Sequence, residues 1–119
     1  MKDEKITVYE KPTCSTCRQV HKILTESGID FDKVNYYVEP LSAAKIKDLL
    51  KKLGLPARDI LRTKEETYKE LGLAKKDLSD DELIKLMVKH PELMQRPILE
   101  RGSKAVLGRP AESIRAFLK

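Results

Sequence analysis

The sequence predicts an α/β fold, a mixed sheet built in the order βαβ and then ββα with an all-helical insert between the two halves. Three observations predict it. A β-prone alternating run, a helical period and a second β-prone run follow one another within about forty residues, the pattern of two parallel strands joined by a right-handed crossover. The middle third carries helical spacing and helix caps. The last quarter reads as a hairpin followed by a helix.

Each element has its own signal. Ile6 to Tyr9 alternates apolar and polar residues, and Lys11, Pro12 and Thr13 break the run. From Ser15 the residues Val20, Ile23 and Leu24 repeat at helical spacing until Gly28, which stops the helix. Phe31 to Tyr37 is the second strand, closed by Glu39 and Pro40. Ser42 is the expected N-cap of an amphipathic helix carrying Ile46, Leu49, Leu50 and Leu53, which Gly54 ends. One or two short helices are expected between Ala57 and Leu73. Ser79 with Glu82 is a capping-box signature for a helix from Asp80 to about Lys89. Pro97 to Glu100, a turn around Gly102 and Ala105 to Leu107 form the hairpin, and Ala111 to Leu118 the final helix.

A chain of 119 residues is long enough to bury a core without disulfides, so residues 1–119 are read as a single domain with the helical insert at about 42–90. Hydrophobic residues at 40% against charged residues at 36% describe a globular chain with a heavily solvated surface, which excludes a fibrous or disordered one. The net charge of +5 suits an anionic ligand. Its lysines, such as Lys45, Lys47, Lys51 and Lys52, lie along helical segments as solvated faces, so direct nucleic-acid binding is not expected. No stretch approaches the roughly 20 apolar residues that span a bilayer, and Met1 to Glu10 lacks a signal-peptide core; the expectation is a cytoplasmic protein without a membrane partner.

Two cysteines separated by two residues make a poor structural staple in a reducing compartment and a good redox or metal pair. Cys14-Ser15-Thr16-Cys17 lies between a predicted strand and the start of a helix, the element pair in which thioredoxin-like proteins hold reactive thiols. Free N–H groups at a helix N-terminus stabilise a thiolate, so Cys14 is the expected nucleophile, with Arg18 in the first turn adding to the effect. Cys17, one turn further in, can resolve a sulfur-bound intermediate. A zinc site would need both His21 and His90, which form no close-spaced pair, so no metal is expected. His21 is read as an exposed residue on the face of Cys17, with tuning of the thiols as the alternative, and His90 as a helix-end residue.

Of seven arginines, Arg62, Arg96 and Arg109 sit in loops or at element ends. A guanidinium binds a tetrahedral oxyanion with a planar, bidentate fork. Arg96-Pro97 also opens a strand after the helical insert, where the thioredoxin fold places a cis-proline loop beside its reactive cysteine.

Four ordered blocks resemble the arsenate reductase and Spx family, the ArsC/Spx family. They are Tyr9 to Arg18 around the cysteines, Ile60 to Thr63 followed by Tyr68 to Leu73, His90 to Ile98, and Gly108-Arg109-Pro110. The resemblance implies a thioredoxin-like sheet with a helical insert, and an arsenate reductase in which Cys14 attacks arsenate and Arg62, Arg96 and Arg109 hold the oxyanion. It implies no bound cofactor, and an electron donor that is thioredoxin or glutathione with glutaredoxin. Cys17 stands where glutathione-dependent members usually lack a cysteine, which makes it the expected resolving thiol. Glu10 stands where they often carry a histidine, and an ionised carboxylate close to a thiol would raise its pKa. Two alternatives share these cysteines: an Spx-like redox switch that binds the RNA polymerase α subunit, and a general glutathione-linked thiol oxidoreductase. Spx-type regulators generally lack the Arg109-Pro110 pair, which favours the reductase.

Overall fold

Strand β1 (Ile6–Glu10) organises the sheet because both of its edges are paired. It runs parallel to β2 (Phe31–Asn35), with Ile6 opposite Phe31 and Tyr9 opposite Val34, and antiparallel to β3 (Ile98–Arg101), with Val8 opposite Leu99. Strand β4 (Lys104–Leu107) closes a hairpin with β3 through Gly102, whose φ of 60° suits a residue without Cβ. The order β2-β1-β3-β4 is the mixed, thioredoxin-like sheet that the sequence predicts. The computed structural model describes residues 5–11 and 13–118. Pro12, read above as part of the break before Cys14, lies outside them, as do residues 1–4.

The chain divides into two compact units, one of Met1–Glu39 with Arg96–Lys119 and one of Pro40–Gln95. In the first, Ile6 and Val8 project from one face of β1 onto helix α1 (Ser15–Glu26), where they meet Val20, Ile23 and Leu24 together with Leu99, Ala111 and Ile114. Each of the Val, Leu and Ile side chains contributes about 1.5–3 kcal/mol when fully buried. By the period of two, Glu10 shares that face of β1. The last helix begins as a 3₁₀ turn at Ala111–Ser113, where Ser113 Oγ donates to Leu107 O at 2.9 Å, and continues as α5 (Ile114–Leu118).

Strand β2 is shorter than its β-prone run suggested. The Asn35 side chain accepts from the Tyr37 N–H at 3.0 Å, and Asn35 O accepts from the N–H groups of Val38 and Glu39. This Asx turn takes the backbone out of the sheet, so Tyr36 and Tyr37 lie beyond the strand.

The second unit spans a few residues more than the predicted insert at each end. Helix α2 (Ala43–Leu53) is capped by Ser42 Oγ, which accepts from Lys45 N–H at 3.0 Å, and stops at Gly54 in the left-handed region at φ 72°. It packs on α4 (Asp80–Lys89), whose capping box is complete: Ser79 Oγ accepts from Glu82 N–H, and Glu82 accepts from Ser79 N–H. Ile46, Leu49, Leu50, Leu83, Ile84 and Met87 are buried there. Helix α3 (Glu66–Glu70) is a single short segment between 3₁₀ turns. The unit is not wholly helical. Leu61 and Met94, both buried, form an antiparallel bridge, flanked by Arg62 N–H donating to Leu93 O at 2.7 Å and Gln95 N–H to Ile60 O at 2.8 Å. Among the described residues no helix is long and apolar enough to cross a membrane.

Candidate active site

The loop between β1 and α1 delivers Cys14 to the N-cap of the helix. Cys14 N–H donates to Lys11 O at 3.0 Å, and Cys14 Sγ accepts from the Cys17 N–H at 3.3 Å. A sulfur thus does what a serine or aspartate oxygen usually does at this position, receiving an otherwise unpaired N–H at the positive end of the helix.

The two thiols, both free, have opposite environments. Burial works to raise the Cys14 thiol, which is 8% exposed. The hydrogen bond from the Cys17 thiol, that from the Cys17 backbone, and the charge and hydrogen bonding of Arg96 outweigh burial and hold Cys14 below the ordinary thiol range. Cys17, fully buried, is pushed up to about 12. Burial is the main cause, followed by its hydrogen bond to Cys14 and the negative charges of Cys14 and Glu10, against a hydrogen bond from the Lys11 backbone. Cys14 therefore has the character of a nucleophile and Cys17 that of a held proton.

Arg96 reaches the site from the far end of the chain. The Arg96–Pro97 peptide is cis, as is Arg109–Pro110. Arg96 Nη1 donates to the Tyr37 hydroxyl at 3.1 Å, and its guanidinium lies 5.8 Å from the centre of the Tyr37 ring, over which Lys11 Nζ also sits at 4.9 Å. Arg96 Nε is buried with no hydrogen-bond partner. Burial opposes its charge, but Tyr37, Tyr36 and the Cys14 sulfur reinforce it. Arg109 is exposed and its Nη1 donates to Arg96 O at 2.8 Å, tying the two arginine loops together. Gly108 makes that approach possible, since a Cβ there would lie 3.0 Å from both the Pro97 ring and Val20.

The structure thus brings Cys14, Cys17, Arg96, Pro97 and Arg109 into one unit. Arg62 belongs to the other, where its Nε donates to Glu65 at 3.1 Å. Arg18 is exposed on α1 and its backbone N–H donates to Cys14 O at 3.1 Å; the guanidinium that acts on the thiol is that of Arg96. His21 is not the exposed residue expected. Its Nε2 is hydrogen-bonded to Oε1 of the buried Glu10, and its ring packs 5.4 Å from that of Phe31. His90 caps α4 through its N–H to Leu86 O at 2.7 Å. Sequence reasoning missed Tyr37, whose only signal was the Asn35 turn preceding it. Among the described residues no group of three His, Cys, Asp or Glu side chains is placed to hold a metal.

Comparison with known proteins shows the family and the fold. The model of the ArsC family matches residues 9–117. Over 112 residues the chain is 43% identical to YfgD of Escherichia coli strain K12, an uncharacterized protein, covering 93% of this chain and 94% of that one. Over 115 residues it is 40% identical to an arsenate reductase of Neisseria meningitidis, covering 96% and 98%. The solved structure of an arsenate reductase from Vibrio cholerae superposes with a TM-score of 0.91 at 36% identity, over 97% of this chain and 98% of that one.

Proposed function

The chain belongs to the ArsC family, and from that premise we propose that it reduces arsenate to arsenite through a thiolate on Cys14. The observation that carries this reading is the Cys14 sulfur at the N-cap of α1 beside Arg96, whose buried Nε has no acceptor. A buried donor without a partner costs free energy that an oxyanion oxygen at that point would return. Arg96 and Arg109 hold arsenate. For Arg62 as a third oxyanion ligand, the support is the sequence block Ile60 to Thr63. The Cys14 thiolate attacks arsenic and one oxide leaves as water, with the arginine charges offsetting that of the adduct. Cys17 then attacks the Cys14 sulfur, the sulfur–arsenic bond breaks with its electron pair passing to arsenic, and arsenite departs from a Cys14–Cys17 disulfide. Thioredoxin, or glutaredoxin with glutathione, reduces that disulfide.

The test is arsenate-dependent NADPH oxidation, run in parallel with thioredoxin and its reductase and with glutathione, glutaredoxin and glutathione reductase. Turnover in either system that disappears in Cys14→Ser is the expected outcome and identifies the donor. Silence in both would sink the proposal.

A further inference from the structure

Two carboxylates are buried among the described residues, and the mechanism above uses neither. Glu100 is served by the Tyr9 hydroxyl, which donates to it at 2.6 Å across the β1–β3 pair. Glu10 is different. It ends β1 on the face that α1 covers, a position at which Ile6 and Val8 before it are core residues, and it is 2% exposed. An apolar side chain would serve packing there better, since burying a carboxylate costs free energy that only its hydrogen bonds offset. Its hydrogen-bond partner, His21, lies one turn beyond Cys17 on α1, and the His21 side chain is 23% exposed. The backbone of Lys11, the residue after Glu10, also acts on the Cys17 thiol. The carboxylate and the imidazole are thus joined where the end of β1 lies under the first turns of α1, and the Glu10 charge acts on the inner thiol.

The reaction leaves one proton without an owner. In the resting site the Cys17 thiol donates to the Cys14 sulfur. Once that sulfur is bonded to arsenic it is no longer an anion, and Cys17 must still lose its proton to become a nucleophile. The groups that act on Cys17 include Cys14, Lys11 through its backbone, Glu10 and the buried Tyr36; Tyr36 is a phenol held protonated by burial, so of these Glu10 is the base that remains. We propose that the Glu10–His21 pair is the proton acceptor for Cys17 in the resolving step, the buried carboxylate taking the proton and the partly exposed imidazole passing it to solvent. The balance is complete. The Cys17–Cys14 sulfur bond forms, the bond from Cys14 to its adduct breaks, the electron pair leaves with the adduct, and the Cys17 proton goes to the pair. The inference rests on the reading of Cys17 as the resolving thiol.

A single-turnover experiment separates the two ideas without arsenate. Reduced protein is mixed with dithiobis(nitrobenzoate). Attack by Cys14 releases one thionitrobenzoate, and attack by Cys17 on the resulting mixed disulfide releases a second. Wild type should release two, and Cys17→Ser one. A wild type that releases only one would remove Cys17 as the resolving thiol, and the proton acceptor with it. Given two releases, Glu10→Gln should slow the second by about tenfold or more while leaving the first unchanged, and Glu10→Asp should restore part of the rate. A merely electrostatic Glu10 predicts the opposite sign, because removing a negative charge beside Cys17 makes its thiolate easier to form and the second release faster. An equal or faster second release in Glu10→Gln therefore overturns the proposal. The first release reports an intact Cys14 site in each variant. Should Glu10→Gln fail to fold, His21→Gln carries the test, with a slower second release expected and an unchanged one overturning the idea.

Discussion

Cys14 and Cys17 are the same side chain three residues apart, and the fold gives them opposite chemistry. Cys14 sits at the N-cap, where it receives the Cys17 N–H and faces Arg96. Cys17 sits inside the first turn, fully buried, with the negative charge of the Glu10 carboxylate acting on it. A cysteine pair with two residues between is therefore not a symmetric device. The helix start sets which sulfur is anionic, and a cation distant in sequence, Arg96, and a nearby acid, Glu10, widen the difference.

The largest expected effect is on reactivity. At neutral pH, iodoacetamide should alkylate Cys14 at least about a hundredfold faster than Cys17, because the thiolate is the reactive form. The sign follows from the two environments: Cys14 ionises below the ordinary thiol range, so its thiolate fraction far exceeds that of Cys17, whose thiol, pushed up to about 12, is almost wholly protonated. Peptide mapping after brief alkylation checks this. Equal labelling would break the comparison. Arg96→Met sharpens it, since losing the cation moves the pH midpoint of Cys14 alkylation upward and leaves Cys17 unreactive. The same variant should lower arsenate kcat/KM by about 10²–10³, the scale of one lost oxyanion donor.

Much of this was legible before the structure. The Ser42 cap, the Ser79–Glu82 capping box and the helical spacing of Val20, Ile23 and Leu24 are local signals, and the corresponding helices form where those signals place them. Cys14 at a strand–helix junction is local too. What escaped depends on contacts between residues far apart along the chain. Nothing in the sequence joins Glu10 to His21, Leu61 to Met94, or Arg96 to Tyr37, 59 residues apart. Arg18 was expected to act on the thiol because it is near in sequence, yet the acting guanidinium, Arg96, comes from beyond the whole of the second unit. The early end of β2 was a different kind of miss. Its β-branched and aromatic residues outvoted an asparagine whose side chain bonds its own backbone two residues on.

A middle-sized effect is expected where the two arginine loops meet. Gly108→Ala places a methyl group 3.0 Å from the Pro97 ring and from Val20 Cγ2, with Ile114 at 3.4 Å behind. These neighbours belong to the core and the proline loop, so the strain is not absorbed by a flexible tip. Denaturant unfolding should show a loss of about 1–3 kcal/mol, the usual cost of overpacking. Because the Gly108 N–H donates to Pro97 O at 2.9 Å and Arg109 is the next residue, the arsenate KM should rise as well. A stability loss with an unchanged KM would separate the packing of this loop from its role in oxyanion capture.

The smallest effect concerns how Arg96 is aimed. The Tyr37 hydroxyl accepts from Arg96 Nη1, while the ring is shared with Lys11. Tyr37→Phe keeps the ring, and with it the attraction to both cations, and removes only the acceptor. The loss of one such hydrogen bond is worth about 0.5–1.5 kcal/mol, which corresponds to a roughly two- to tenfold fall in arsenate kcat/KM. The fall should appear mainly in KM, since a less firmly held guanidinium still completes the charge of the site. The second thionitrobenzoate release should not change, because Tyr37 acts through Arg96, which bears on Cys14, whereas Glu10 bears on Cys17. A Tyr37→Phe variant that slowed the second release as much as Glu10→Gln would show that the two sides of the cysteine pair are not separate, and the asymmetry between Cys14 and Cys17 would need another origin.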